Sequence, residues 1–351
     1  ICDAAIKQSI EPEVLADARS GRLRDRYRAA APPDLKGMKP LPRHLLAGDR
    51  YSTVQSVQAT RGCPHGCNFC TVAAFHDRVH RRRPVHEVAQ EIAGLPGRFF
   101  VFVDDNLPAD REYARELFEA LVPLKKRWIT QATLSMADDA AFVRLAAEAG
   151  CIGVFVGLET FSSENLAGAG KACNRVEKYR EWVRRFHRHG IGIEAGIMLG
   201  FPADRPRVFE RTLALLDELE IDAILVSIFT PLPGTPRFES MQPKILDRNW
   251  EHYDFDHVVF EPAGMTAEAL QAGHAWITRE FYRPWRIARR TWRHLLRPRA
   301  AACLPYLAAL NVAFYGRVIR WHVRGWNPAA EEAPSQTVWK SRSYARGLGR
   351  A

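Results

Sequence analysis

The chain has 351 residues, 47% hydrophobic and 26% charged, a balance that suits one large folded α/β domain with extensions and excludes a disordered, collagen-like or repetitive protein. Its net charge of +10 is uneven: residues 281–351 hold fourteen Lys and Arg against two Glu, which leaves residues 1–280 at −2. Charge carried by the tail points to a membrane surface or another partner before it points to nucleic acid.

The opening ICDAAIKQSIEPEVLADARSG lacks the basic start and apolar run of a secretory signal, so the chain reads as a fragment of a longer cytoplasmic protein. Residues 1–50 are expected to be the remnant of a preceding domain with its linker. Apolar, β-branched runs then recur at 54–60, 98–105, 127–134, 151–159, 191–200 and 222–230. Near-continuous apolar strands imply a sheet buried on both faces. Between them lie helical periodicities: Val85, Val88, Ala89 and Ile92 after Pro84; Ala114, Leu117, Phe118 and Leu121 after Asp110 as N-cap; Val176, Tyr179, Val183 and Phe186 between Asn174 and Gly190; and Phe209, Leu213, Leu216 and Leu219. Strand and helix repeated six times specify right-handed crossovers and parallel strands, hence a partial (β/α)6 TIM-type barrel over 51–236 with its ligands at the carboxyl ends of the strands.

After the turn PLPGTP (231–236) comes an aromatic, His-rich stretch in which His252 and His257 are candidates to cap a substrate cavity. One long helix is expected from Thr266 to about Leu296. The uncharged segment 300–316 is short for a membrane span and suits an interfacial or core-packed helix. Residues 237–325 thus form a helical C-terminal extension, and 326–351 a loosely ordered tail.

Seven cysteines, three of them within eight positions, suit a reducing compartment and a metal site. Those three stand in TRGCPHGCNFC (60–70), directly after the first apolar run. Spaced C-x3-C-x2-C on one loop, Cys63, Cys67 and Cys70 can converge on one [4Fe-4S] cluster and leave one iron without a protein ligand, open to a cosubstrate. Structural zinc would need a fourth closed ligand, which His65, His76 or His80 would have to supply, and a ferredoxin-type carrier would need a fourth Cys closer than Cys151. Cys2, Cys151, Cys173 and Cys303 read as inert thiols.

The cysteine loop, with Phe69 before the third Cys, resembles the radical S-adenosylmethionine superfamily, and the likeness covers roughly residues 50–236. The resemblance implies a six-unit partial barrel and a [4Fe-4S] cluster whose open iron is chelated by S-adenosyl-L-methionine. It also implies an electron donor such as flavodoxin or ferredoxin, and a 5′-deoxyadenosyl radical that abstracts hydrogen from substrate. Residue by residue, Asp104, Asp105 and Asn106 occupy the place of the segment that meets the methionine amine, with a helix N-cap as the other reading. Gln131 and Ser135 would face the pocket. Glu159, in GLET, would touch the cosubstrate or its ribose, since an acid closing an apolar strand needs a ligand or a buried Arg partner. Gly196, Gly200 and Pro202, in GIMLGFP, would pass beside the adenine, although a sharp strand-to-helix turn explains those glycines equally well.

GRLRDRYRAA, PLPRHLLAGDRYSTVQ, RGCPHGCNFC and FVDDN resemble the cobalamin-dependent branch of that superfamily with its cobalamin module missing. Residues 237–285 resemble the extension of members that include hopanoid methylases. The implied substrate is a small, lipid-like molecule; methylation would then need cobalamin supplied by a separate protein. Two other readings stand: a non-catalytic iron-sulfur or zinc protein, and an RNA-modifying methylthiotransferase-like enzyme, which would need an RNA module or second cluster that is not evident. Arg283, Arg286, Arg289, Arg290, Arg293 and Arg297, with Trp285, Trp292 and Leu295, are expected either to lie on anionic lipid at the inner face of a membrane or to pack across the barrel's open side with the arginines solvated.

Overall fold

A computed structural model of the chain describes residues 11–25, 27, 32–46, 55–297, 299 and 303–323. Readings that fall on residues 1–10, 47–54 and 324–351, Cys2 among them, lie outside the described residues.

The elements in chain order are α1 (Glu11–Arg19), β1 (Ser56–Val57), β2 (Thr60–Arg61), α2 (Thr71–Phe75), β3 (Arg81–Arg82), α3 (Val85–Ala93), β4 (Phe99–Phe102), α4 (Arg111–Leu121), β5 (Arg127–Ala132) and α5 (Ala140–Glu148). They continue with β6 (Cys151–Glu159), α6 (Ser163–Gly168), α7 (Tyr179–Arg188), β7 (Gly192–Leu199), α8 (Val208–Glu218), β8 (Ala223–Ile228), α9 (Pro236–Met241), α10 (Ala267–Phe281), α11 (Pro284–Leu295) and α12 (Leu304–Val323). Six strands form one sheet in the order β1-β4-β5-β6-β7-β8, every pair parallel, which is the partial barrel expected. The first apolar run is divided. Ser56–Val57 joins the sheet edge, whereas Thr60–Arg61 pairs antiparallel with Arg81–Arg82 and clips both ends of the cysteine loop together.

Alternation decides which side of each strand packs. Phe100, Phe102, Trp128, Val154, Val156, Ile193, Ala195 and Val226 point to the helices and are buried. The other face is concave and only partly covered: Gln131, Phe155 and Glu194 lie side by side in register across β5, β6 and β7, and Gln131 is exposed. The expectation of burial on both faces therefore holds on the helix side alone.

Helix α12 fills the amino-terminal part of the concavity. Tyr306 lies where a Cβ on Gly153 would collide with its ring, and a Cβ on Gly192 would come within 2.8 Å of Leu307. Two glycines at the start of β6 and β7 thus admit the helix. The long helix expected from Thr266 is two helices, because Pro284 holds Arg283 extended at ψ 137 and Thr266 caps only the first. No helix among the described residues is long and apolar enough to cross a membrane.

The arginines of α11 turn inward. Arg286 and Arg289 pair with Asp217, Arg293 and Arg297 with Glu220, and Arg290 donates to Phe281 O and Asn311 Oδ1. The acids at the end of α8 thus hold much of this row, while Arg289 and Arg293 stay partly exposed and Arg283 pairs with Glu280 at the surface. Beneath them Asp222 joins barrel and extension, bonded to His187 Nε2 at 2.9 Å, Ile193 N at 2.8 Å and His294 Nε2 at 3.0 Å.

Burial alone would lower the His294 imidazole, but its hydrogen bond to Asp222 outweighs burial and lifts it to about 9. A raised imidazole contributes fully below its free value of 6.5, and the contribution is lost as pH rises through about 9. His294→Gln is therefore expected to lose about 2 kcal/mol of stability at neutral pH. The gap to the unaltered chain should close near pH 10 in paired urea unfolding curves. A gap that ignores pH would show that His294 acts as neutral packing.

Candidate metal centre

Cys63, Cys67 and Cys70 lie on the loop between β2 and α2, beyond the carboxyl end of β1, and all three are free thiols. Their loop is braced from the end of β4. Asp104 is fully buried and accepts from Ala59 N at 3.1 Å, from Thr60 N and from the Thr60 hydroxyl at 2.7 Å. Asp105 Oδ2 accepts from Gly62 N at 2.9 Å, and Gly62, at φ 88, leaves no room for a Cβ against the Val79 carbonyl. Asn106 Nδ2 points at Cys63 Sγ across 3.6 Å. Three consecutive side chains thus each hold one part of the loop. The carboxylate of Asp104 is turned to the loop backbone. Asn106 Oδ1, like Asn68 Oδ1 on the loop itself, is a buried acceptor that finds no partner among the described residues.

The far side of the loop is stitched to the next units. Asn68 N donates to Ala169 O at 3.0 Å, Asn68 Nδ2 to Gly168 O at 2.8 Å, and Arg237 N to Asn68 O at 3.0 Å. Phe69 meets Phe201 and Phe229 edge-on, with centroids 6.4 and 6.2 Å away, at the carboxyl ends of β7 and β8.

Glu159 has its partner, and it is a lysine. Lys171 Nζ pairs with Glu159 Oε1, both side chains nearly buried, over the bare face of Gly157, where a Cβ would strike both. Glu159 adopts φ 62 where the register between β6 and β7 shifts. Burial would lower the Lys171 ammonium, but Glu159 and then Cys67 raise it instead. Nothing local in AGKAC marks Lys171; the unpaired Glu was the only signal. Cys173 belongs to the same group: burial raises its thiol while the charge of Lys171 works against that, and Cys63 is among its neighbours.

The remaining expected positions divide. Gln131 lies on the concave face, with Glu194 two strands along the same row. Burial pushes the Glu194 carboxyl up to about 7, and the Tyr306 hydroxyl donates to it at 3.3 Å. Gly196 faces the same concavity under the Phe155 ring. Gly200 instead forms the strand-to-helix turn: its N–H and that of Phe201 donate to Asp204, and a Cβ there would meet Leu270 at 2.8 Å. Pro202 offers its carbonyl to Arg205 in that turn, and Ser135 bonds its own loop at Thr133. His252 and His257 stack with centroids 4.9 Å apart, bonded to Asp247 and Asp254.

Among the described residues no three His, Cys, Asp or Glu side chains converge where a single metal ion would sit. A cube whose thiolates bind separate irons does not require such a single point. Burial pushes the Cys67 thiol up to about 12, so this sulfur ionises only against added positive charge, which iron supplies. The donor set fits a [4Fe-4S] cluster with one open corner.

Residues 57–216 match the family described as the radical SAM superfamily. The chain is 29% identical over 297 residues to bacteriochlorophyllide d C-12(1)-methyltransferase of Chlorobaculum tepidum, covering 81% of this chain and 64% of that protein. It is 29% identical over 214 residues to the hopanoid C-2 methylase of Rhodopseudomonas palustris, covering 58% and 40%. The chain therefore spans only part of the length of these relatives. Among solved structures, the cobalamin-dependent S-adenosylmethionine radical enzyme OxsB, with aqua-cobalamin and S-adenosylmethionine bound, superposes with a TM-score of 0.56 at 14% identity over 90% of this chain and 56% of that one. At that identity the likeness is one of fold.

Proposed function

We propose, from the match of residues 57–216 to the radical SAM superfamily, that Cys63, Cys67 and Cys70 hold a [4Fe-4S] cluster at which S-adenosyl-L-methionine is reductively cleaved. The observation that carries this reading is the loop itself: three free thiols on one short segment, braced by Asp104, Asp105 and Asn106 at the carboxyl edge of the sheet. When bound and reduced by a donor such as flavodoxin or ferredoxin, the cluster supplies the electron that splits the sulfonium and releases a 5′-deoxyadenosyl radical.

The chain's own residues bind, orient and exclude water. Asn106 Oδ1, buried and unpaired, accepts from the methionine amine. Lys171 keeps positive charge beside the Cys67 sulfur. Phe69, Phe201 and Phe229 wall off the side of the loop from water. Gln131, exposed on the concave face, and Glu194, in the same row and bonded to Tyr306 of α12, orient the substrate.

Both named relatives act on large apolar ring systems, a bacteriochlorophyllide and a hopanoid. The substrate here is accordingly an apolar, lipid-like small molecule, and the reaction methylation of its carbon, with cobalamin delivered by another domain or protein. The test is anaerobic reconstitution of the chain, then dithionite and S-adenosylmethionine, with and without methylcobalamin and a hopanoid or chlorin acceptor. Expected are about four irons per chain and 5′-deoxyadenosine by mass spectrometry. Iron uptake without 5′-deoxyadenosine would leave a binding protein and overturn the proposal.

A further inference from the structure

Helix α11 carries its amphipathicity inverted. Its arginines and His294 are held on the barrel side by Asp217, Glu220 and Asp222, while Trp292, Leu295 and Leu296, with Trp285 stacked beside Arg286 and Arg289, lie on the outer face, between 53% and 69% exposed. Helix α12, packed beside it, turns Leu307 and Asn311 inward and leaves Val312 72% exposed. Trp292, Leu295 and Leu296 stand on one side of α11 within five positions of each other, more apolar exposure than a single surface residue gives.

The chain runs from Leu295 and Leu296 straight into a basic pocket of about 610 Å³ lined by Arg184, His187, Arg188, His189, Glu220, Arg297 and Arg299. Glu220, its single acid, is taken by Arg293 and Arg297. Arg184, Arg188 and Arg299 meet no carboxylate among the described residues, and Arg299 Nη1 lies 3.4 Å from His189 Nδ1. Burial, and after it Arg299, Arg188 and Arg144, hold the His189 imidazole below its ordinary value.

We propose that this end of the barrel docks on an anionic phospholipid bilayer, with Trp285, Trp292, Leu295 and Leu296 entering the interface and Arg184, Arg188 and Arg299 meeting headgroup phosphates. Charge selects this occupant. A second copy would bring two cationic pockets together, and residues 324–351 of this chain carry five Lys and Arg against two Glu, the same sign as the pocket. Tryptophan is also the residue that an interface between water and hydrocarbon favours. The basic helix reaches lipid through its apolar side, not its arginines.

The experiment is co-sedimentation of the full chain with vesicles of phosphatidylglycerol and phosphatidylcholine in equal parts, and of phosphatidylcholine alone, at low salt. The chain is expected to bind the anionic vesicles about tenfold more tightly. Arg184→Glu/Arg188→Glu should erase that preference, and Trp292→Glu/Leu296→Glu should weaken binding to both vesicles. Brominated acyl chains should quench tryptophan emission in the unaltered chain and not in Trp285→Phe/Trp292→Phe. Near-ultraviolet circular dichroism and iron uptake, which depends on the opposite end of the strands, show that each variant is folded. Unchanged binding by the glutamate variants, no quenching, a dimer that Trp292→Glu/Leu296→Glu dissolves, or binding that inorganic phosphate alone reproduces would each overturn the proposal.

Discussion

Cys67→Ala takes the reconstituted chain from about four irons to fewer than one, with loss of its brown absorbance and of 5′-deoxyadenosine formation. Cys67 is the most buried of the three sulfurs, and its thiol is pushed up to about 12 by that burial. An uncharged thiol there is the resting state of the empty loop, and iron must displace the proton. Removing one sulfur of three leaves two irons of the cube without protein ligands. The loop does not close around the loss, because its backbone is tied to Asp104, Asp105 and Ala169. Cys173→Ala is the matched control, a thiol in the same electrostatic neighbourhood but on another loop. It should keep full iron. Retention of four irons in Cys67→Ala with loss in Cys173→Ala would move the ligand set.

Local pattern and non-local pairing divide what the sequence discloses from what it hides. The run at 151–159 is a strand to the residue, and Asp110 caps α4 by accepting from Tyr113 N, because both features are written in neighbouring positions. The cysteine loop is equally plain, since its spacing is itself the signal. Pro284 stood in view as a helix break and carries the correction of the long helix. By contrast, Asp104 looks like any acid at a strand end until the fold brings Ala59 and Thr60 against it, more than forty positions away in the chain. The same holds for α11: a basic and apolar helix reads as arginines out and tryptophans in or on lipid. Only Asp217, Glu220 and Asp222, some seventy residues upstream, reverse it. Sequence periodicity identifies the two faces of a helix without saying which one meets protein.

Lys171→Met is expected to destabilise the chain by about 3–5 kcal/mol, the cost of leaving one member of a buried ion pair without the other. The methionine keeps the packing over Gly157, so the loss reports on charge. Glu159 cannot swing to water, since its backbone is held at φ 62 at the register shift of β6 and its side chain lies inside the concavity. Adding Glu159→Gln removes the stranded charge, and the double variant should regain most of the stability in urea unfolding. A ligand-binding Glu159 with an incidental lysine predicts the opposite order, in which Glu159→Gln is mild and Lys171→Met milder. The lysine also faces Cys67, which a stability cycle alone does not report. Iron uptake by the double variant separates the two roles: full uptake confines Lys171 to neutralising Glu159, whereas weakened uptake in a stable double variant shows that its charge also serves the thiolate.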